Sequence, residues 1–407
     1  MPARILQTTF VTKQDAILAG IDTRQITAAD KVKALDSALA RYSQDMPRLS
    51  TLDFAGTGDA YYVLSGQVVR VDNTDRDAQI DLTSAGNDRL VAVAFTLPRR
   101  MTVQAARVSM LRTGAVAGTV SAQIRLTATS LPTSLIVASS NALDADVDIP
   151  LGFEAGKVEF VFATPPTLEA GTYQLVIVPS GYTYSAGVTV LSVGVDQSDV
   201  TNNVSTYDGA AWAAYGTASV GVIEVIGSIP KWDAEWSSIK GADIPAPTIT
   251  SDEQPQTLED EDFTIYRVGE TQYLYLPNNA PATTDTVRLN YSSRYTFDGS
   301  PLGVDVPAAH FDAVAHLSAY FVCRWLSVKY GQSVDGGLNA DMIDRRNQSD
   351  VYASRARELE SIYTGLIGIG GGDNGQGAAA VPAMKIGDMD RGTYSPRDFL
   401  FHGKRRR

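Results

Sequence analysis

Residues 119–126 read TVSAQIRL, a segment in which polar and apolar side chains alternate without a break. A period of two residues places the apolar side chains on one face of a β-strand and the polar ones on the other. No helical period appears between residues 77 and 226, so this block predicts one antiparallel β-sandwich. Its other predicted strands, separated by Gly, Pro, Asn and Asp, are 90–97, 105–111, 157–162, 172–178 and 220–226.

Helical spacing flanks this block on both sides. Before it, Thr27 and Asp30 read as a capping pair, and apolar residues then recur every three or four positions until Pro47 ends the helix. After it, residues 308–326 are apolar on nearly every side, which is typical of a helix enclosed by other elements. An amphipathic, heavily charged helix is predicted over 340–365.

The order of these periods predicts a helical body opened by an insertion. We expect an α+β multidomain fold: a discontinuous, mainly helical frame with a small β-sheet, and an inserted antiparallel β-sandwich. The small sheet is predicted from three alternating segments, 263–267, 272–276 and 286–291. The predicted boundaries give residues 1–68 and 230–366 to the frame, 69–229 to the sandwich and 367–407 to a flexible tail that orders on a partner.

Composition argues against several classes of function. The 407 residues carry a formal net charge of −12, which disfavours a surface that grips nucleic-acid phosphates. The only cysteine, Cys323, lies in an apolar helical segment, so a buried thiol is favoured over a nucleophile and no disulfide is expected. Residues 1–20 lack a signal-peptide core and no apolar run is long enough to span a membrane, so we expect synthesis in a cytoplasm without membrane attachment.

Residues that carry chemistry are few and scattered. His310 and His316 are not at zinc-ligand spacing on one helix, and His402 lies in the tail, so packing roles are favoured. The stretch 370–375 matches a dinucleotide-binding pattern but follows a helix, which makes it a linker. We expect no enzyme activity, no cofactor and no metal, with a nonstandard calcium site at the three aspartates of 144–148 as the minor alternative to a solvated turn.

Three aromatic residues near the last predicted strand of the sandwich form a candidate glycan contact. Tyr207, Trp212 and Tyr215 stand among small residues, where their rings can stack on a sugar. The more common role of such aromatics is to close the edge of a sandwich core. The glycan alternative describes an adhesin or accessory carbohydrate-binding protein that acts through its β-sandwich.

The flanking segments resemble the head-to-tail connector, or adaptor, proteins of tailed bacteriophages. The resemblance rests on residues 27–47, on 258–267, on 286–291 and on the closing pair of helices. It spans residues 1–65 and 230–366. The inserted block departs from a minimal adaptor and resembles the jelly-roll domains of phage and bacterial surface proteins.

The resemblance implies a structural virion protein located in the neck. It implies a homo-dodecameric ring docked under the portal protein, which joins the capsid to other neck and tail-completion proteins. The genomic DNA would leave through the channel of this ring without sequence-specific binding, and an acidic body suits such a conduit because like charges repel.

The C-terminal segment is the predicted portal-binding element, because connectors of this kind commonly reach into the portal with their C-terminal residues. Its composition suits that role, since apolar anchors precede a basic end. The residues assigned to portal binding are Tyr394, Pro396, Phe399, Leu400, Phe401, Lys404, Arg405, Arg406 and Arg407.

Overall fold

The computed structural model of the chain describes residues 5–19, 26–71, 77–82, 89–152, 157–197, 202–216, 219–244, 256–258, 262–277, 280–296, 306–332 and 339–368. The predicted portal-binding segment and the glycine-rich stretch 370–375 lie outside the described residues. A single 3-10 turn, Ala308–His310, leads into the third helix. The α-helices of the described ranges are α1 (Gln7–Ile17), α2 (Ala28–Asp45), α3 (Phe311–Gln332) and α4 (Asn339–Ile367).

Strands fill the chain between α2 and α3. In order they are β1 (Arg48–Ala55), β2 (Tyr61–Val71), β3 (Ala78–Leu82), β4 (Arg89–Leu97), β5 (Met101–Thr113), β6 (Thr119–Ala128), β7 (Leu131–Ser139), β8 (Leu143–Asp144), β9 (Lys157–Val161), β10 (Thr167–Leu168), β11 (Gly171–Ser180), β12 (Val190–Asp196), β13 (Val204–Asp208), β14 (Trp212–Ala214), β15 (Val220–Gly221), β16 (Ile223–Ser228), β17 (Ile239–Ile244), β18 (Gln256–Leu258), β19 (Thr264–Val268), β20 (Thr271–Tyr275) and β21 (Thr286–Ser293).

The chain divides into two compact units. A helical unit is formed by Met1–Arg48 and Arg294–Arg407, and a β unit is formed by Leu49–Ser293. The division therefore falls at Arg48 and Ser293, whereas the predicted sandwich covered only 69–229. The helical unit is built from both ends of the chain, with the β unit inserted between them.

The predicted fold class, a mainly helical frame with a small sheet, is wrong. Strand predominates over helix among the described residues, which form 21 strands and four α-helices. The segments assigned to a frame sheet belong to the β unit, where β19 pairs with β20, β20 with β2, and β21 with β17. Alternation identifies a strand but not its partner, and β2 and β17, the partners that tie these segments to the β unit, lie far away in the chain.

Helix α3 lies at the centre of the helical unit, as its all-round apolar pattern predicts. It packs against α1, α2 and α4. The ring centroids of Phe10 on α1 and Phe311 on α3 are 4.8 Å apart, and Gln14 Nε2 donates to Ser318 Oγ at 2.7 Å. Its fully buried side chains are Ala313, Val314, Ala315, Ala319, Val322, Cys323 and Leu326.

Local signals set the two ends of α2. Thr27 Oγ1 accepts a hydrogen bond from Asp30 N at 3.1 Å, and Asp30 Oδ2 accepts one from Thr27 N at 3.0 Å, which is the predicted capping pair. Hydrogen bonds from Thr27 lower the pKa of Asp30. The helix ends at Asp45, just before Pro47, and Tyr363 Oη of α4 donates to Asp45 Oδ2 at 2.7 Å.

The described strands of the β unit form three sheets. The first runs β15-β12-β5-β16-β2-β20-β19, with β3 attached to β12 and with β9 and β10 attached to β5. The second runs β14-β13-β4-β11-β6-β7, with β8 attached to β6, and the third runs β1-β21-β17-β18. Residues of all three sheets, among them Val93, Val108 and Leu289, belong to one apolar core. This shared core explains why the β unit extends beyond the predicted sandwich.

The chain enters and leaves the β unit along neighbouring strands, β1 and β21. Near the boundary, the hydroxyls of Ser50 and Ser293 are hydrogen-bonded at 2.7 Å. Further along, the Arg288 guanidinium donates to both carboxylate oxygens of Asp53, at 2.7 and 2.8 Å, and this contact lowers the pKa of Asp53. An inserted unit needs its first and last strands side by side, because the chain on either side of the insertion then starts from two neighbouring points.

Candidate functional site

The structure brings together two of the three predicted glycan contacts. Tyr207 on β13 and Trp212 on β14 are cross-strand partners, with ring centroids 5.4 Å apart and ring planes inclined by 45°. Both side chains are partly exposed. Tyr215 packs against the apolar core of the β unit instead. Tyr215 is partly exposed as well, so the aromatic pair Tyr207–Trp212 is the part of the predicted site whose rings lie together.

Strand register places polar residues on the same sheet face as this pair. Tyr207 pairs with Leu90 of β4, and four residues along β4 Ala94 pairs with Gln174 of β11, which in turn pairs with Arg125 of β6. Directly opposed residues and every second residue of a strand share a face. Tyr207, Gln174 and Arg125 therefore lie on one side of the sheet, while its other side supplies the apolar core.

This outer face of the seven-stranded sheet is concave. Strand β7 stands at one end of the strand order, yet it contacts β11 and β14 as well as its neighbour β6. Ala92 and Val176 lie on this face and are fully buried, although they are not members of the apolar core. The sheet therefore curls into a half-barrel. We call the surface made by Gln123, Arg125, Tyr207 and Trp212, with Gln174 buried beneath it, the concave face.

Arg125 places a positive charge on the concave face. Its Nε and Nη2 donate to Gln123 Oε1 at 3.1 and 2.7 Å. Burial lowers the pKa of Arg125, and the phenol of Tyr207 opposes this shift. Within the described ranges no carboxylate is paired with Arg125, so its charge lacks a counter-ion there.

Gln174 contributes a buried amide next to this charge. Its side chain is fully buried, and Nε2 donates to Ser130 O at 3.0 Å. No described residue donates a hydrogen bond to Gln174 Oε1. A buried acceptor without a donor costs about 1–3 kcal/mol, so this atom marks an unsatisfied point under the concave face.

A second surface lies at one end of the ten-stranded sheet. Strand β19 pairs with β20 on one side, and all five of its residues are exposed. Three of them are apolar or aromatic: Ile265, Tyr266 and Val268, exposed by 40%, 49% and 55%. Soluble proteins usually protect sheet edges with several charges, prolines or bulges. This β19 edge carries one charged residue, Arg267, and has the character of a surface that another chain covers.

Four tyrosines lie beside this edge on the outer face of the sheet. Tyr61 of β2 stacks on Tyr275 of β20, with ring centroids 4.6 Å apart and planes 17° apart. The rings of Tyr266 and Tyr273 each lie 6.2 Å from that of Tyr61. Tyrosine is enriched at protein interfaces, because its ring supplies a large contact area at a small cost in conformational entropy. We call these four residues the tyrosine cluster.

The three aspartates of residues 144–148 hold a turn together. Asp144 Oδ1 accepts hydrogen bonds from the backbone N–H groups of Asp146 and Val147, and Asp148 Oδ2 accepts one from Asp144 N. Asp146 Oδ1 lies 3.0 Å from Arg112 Nη1. In the part of the chain that the structure describes, no group of three or more His, Cys, Asp or Glu is arranged to hold a metal ion.

The remaining residues singled out in the sequence have contacts inside the helical unit. His310 Nδ1 is 2.6 Å from the hydroxyl of Tyr42, and His316 Nδ1 is 2.7 Å from Asp312 O. Cys323 is fully buried, and burial raises the pKa of its thiol to about 11. The predicted tail residues, Tyr394 to Arg407 and including His402, lie outside the described residues.

Three features of these surfaces were missed in the sequence. Gln174 directly precedes four apolar residues, 175–178, and a polar amide next to such a run is a usable signal. Arg125 looks like any outward-facing residue of an alternating strand. The β19 edge was assigned to a frame sheet, although its apolar residues fall on both faces.

Among the described residues, no helix has the length and apolar character needed to cross a membrane.

Comparisons with known proteins add little to this description. No known family model and no curated protein matches the chain. Solved structures with a weak likeness include a clostridial cysteine protease after propeptide cleavage (TM-score 0.29, 11% identity, 42% of this chain and 41% of that one). Others are the cysteine protease and lectin-like domains of a surface layer associated protein of Clostridium difficile (TM-score 0.29, 9% identity, 42% and 36%) and infectious bursal disease virus, Gx strain (TM-score 0.17, 12% identity, 61% and 41%). Each match spans less than half of the other chain, and scores this low define no common fold.

Proposed function

We propose that this chain is a structural virion protein, the head-to-tail connector of a tailed bacteriophage. Copies of the chain form a dodecameric ring under the portal protein. The ring joins the capsid to the other neck and tail-completion proteins, and the genomic DNA leaves through its channel. The proposal rests most directly on the β19 edge and its tyrosine cluster, because an open apolar edge is suited to pairing with another protein chain.

Two further features support this function. The helical unit is assembled from both ends of the chain around α3, which is the arrangement expected of a frame that an insertion has opened. The formal net charge of −12 also suits a conduit, because a negatively charged wall discourages DNA from binding to it. The resemblance of the flanking segments to phage connectors adds the position in the virion.

A charge placed on the β19 edge should weaken ring assembly. In Ile265→Lys the ammonium group must lose its bound water when a neighbouring chain covers the edge. We therefore expect the number of assembled rings to fall by about tenfold or more. The measurement is electron microscopy of the full chain mixed with the portal ring of the same phage, because connectors of this kind often assemble only on the portal.

Leu135→Lys is the matched control for this variant. Leu135 is an apolar residue of β7 that is 59% exposed and lies outside the β19 edge, so its replacement should leave the number of rings unchanged. Equal numbers of rings from wild type and Ile265→Lys would show that the β19 edge is not part of the ring interface. An absence of any ring of this protein at the portal of intact virions would disprove the connector function itself.

Deletion of residues 394–407 should abolish attachment to the portal while both units stay folded. The deleted residues include the apolar anchors Phe399, Leu400 and Phe401 and the basic end, which we assign to the portal contact. Co-sedimentation with portal rings measures attachment, and circular dichroism with thermal unfolding monitors the fold. Attachment that survives the truncation contradicts the role of the tail.

A further inference from the structure

We propose that the concave face of the β unit binds an acidic glycan, a sugar chain that carries uronic or sialic acid units. Arg125 binds the carboxylate, and the aromatic pair Tyr207–Trp212 packs against the sugar ring. This binding site is separate from the β19 edge and does not depend on the connector function.

The first argument concerns charge. Arg125 is partly buried, and its bonds go to the neutral amide of Gln123 rather than to a carboxylate. Desolvation of a cation is unfavourable unless a counter-charge compensates it. The planar guanidinium binds a carboxylate through two parallel hydrogen bonds, which a sugar acid can supply.

The second argument concerns unsatisfied polar groups. Gln174 Oε1 and Thr127 Oγ1 are both buried, and no described residue is hydrogen-bonded to either atom. Gln174 is the strand partner of Arg125, and Thr127 lies two residues further along β6 on the same face. Sugar hydroxyls act as donors and acceptors, and they can satisfy such groups directly or through a bridging water.

The third argument concerns the aromatic pair. Sugar rings present apolar C–H faces that pack on aromatic side chains, while their hydroxyls bind polar groups at the edge. The 45° inclination between Tyr207 and Trp212 gives an angled aromatic wall on the same sheet face as the Arg125 charge. Nucleic acid also combines rings with acidic groups, but its binding requires clustered cations, and this chain has a net charge of −12.

Isothermal titration calorimetry of the full chain tests the proposal. The probes are 3′-sialyllactose and trigalacturonate, with lactose and galactotriose as their neutral counterparts. We expect both acidic sugars to bind, and the neutral sugars to bind at least about tenfold more weakly because they lack the carboxylate.

Variants separate the charge from the stacking. Arg125→Gln should weaken binding of the acidic sugars by at least about tenfold and leave binding of the neutral ones unchanged. Trp212→Ala should weaken binding of all four sugars, while Trp212→Phe, which keeps a ring, should retain most of it. Arg100→Gln is the matched control. The Arg100 side chain is 53% exposed and lies in the loop between β4 and β5 of the same unit.

The proposal is overturned if neither acidic sugar binds, if acidic and neutral sugars bind equally well, or if Arg125→Gln binds like wild type. Thermal unfolding of each variant shows whether it is folded, and Trp212→Leu, which removes the ring but keeps a large apolar side chain, decides the aromatic role if Trp212→Ala does not fold. Ring assembly on the portal, measured in parallel, tests the connector function separately.

Discussion

Arg99→Ala should lower the free energy of unfolding of the β unit by about 3 kcal/mol, which is roughly a 150-fold change in the folding equilibrium. Arg100→Ala, the adjacent replacement of the same residue type, should lower it by less than about 1 kcal/mol. The two arginines differ in burial and in the groups that surround their charges.

Arg99 is buried between two aromatic rings. Its side chain is 6% exposed, and its guanidinium carbon lies 4.8 Å from the ring centroid of Phe54 and 5.5 Å from that of Tyr62. Its Nη2 donates to the carbonyl of Val63, which borders an irregularity in the pairing of β2 with β20. Truncation removes the packing and both cation–π contacts, and it leaves that carbonyl without this donor. Arg100 instead forms an exposed ion pair with Glu169 at 3.2 Å.

The charge on Arg99 opposes folding, whereas its packing favours folding. Replacement by a neutral side chain of similar length removes the first effect and keeps the second. Burial lowers the pKa of Arg99 to about 10, below the ordinary value of a guanidinium. Because the folded pKa is the lower one, the cost of the buried charge is fully present below pH 10 and is lost as the pH rises from there towards the ordinary guanidinium pKa. Arg99→Met, measured at pH 7, avoids this cost and keeps the apolar packing, so it should lose about half as much stability as Arg99→Ala.

Urea unfolding followed by tryptophan fluorescence measures these differences. Trp212, Trp232 and Trp236 lie in the β unit and Trp325 in the helical unit, so the signal reports mainly on the β unit. Equal losses in Arg99→Ala and Arg100→Ala would contradict a structural role for the buried guanidinium.

Leu326→Ala should lower the free energy of unfolding of the helical unit by about 3 kcal/mol. Leu326 is fully buried on α3, in an apolar cluster that also contains Leu18, Ala34 and Leu359. Because α3 packs against the other three described helices, the cavity left by the missing methyl groups lies where these helices meet and cannot be filled by one of them alone.

Val328→Ala is the control on the same helix. Val328 is 51% exposed, so its truncation should change stability by less than about 0.5 kcal/mol. Circular dichroism at the helical minimum, recorded during denaturant unfolding, follows the helical unit because the described helices belong to it. A Leu326→Ala loss as small as that of Val328→Ala would mean that α3 is not the centre of this unit.

The candidate surfaces show which structural features a local residue pattern can predict and which it cannot. Tyr207 and Trp212 stand close together in the chain, so the proximity of their rings could be predicted from sequence, whereas their partial exposure could not. Arg125 shares a face with them only through the pairing of β13, β4, β11 and β6, and Gln174 Oε1 is left without a donor beneath that face. Curling depends on how β7 lies relative to β11 and β14, which no local period encodes.

The same limit explains the error in the fold class. Gln272 of β20 accepts hydrogen bonds at Oε1 from Ser65, which is 207 residues away in the chain, and from Trp232. These contacts attach a segment assigned to a helical frame to the ten-stranded sheet instead. Strand partners are chosen by which apolar faces can be buried together, and that choice involves the whole unit.

Helix α2, strand β6 and the enclosed helix α3 follow from the residues alone, because caps, a period of two and an all-round apolar pattern act between near neighbours in the chain. The change from helical to strand period and back likewise marked an insertion in a helical body. Where that insertion begins and ends, which strands close its sheets, and which polar groups meet on its concave face were decided only in the tertiary structure. The physical reason is that these features arise from burial shared between distant segments, whereas a sequence period reports only the face that each segment has to bury.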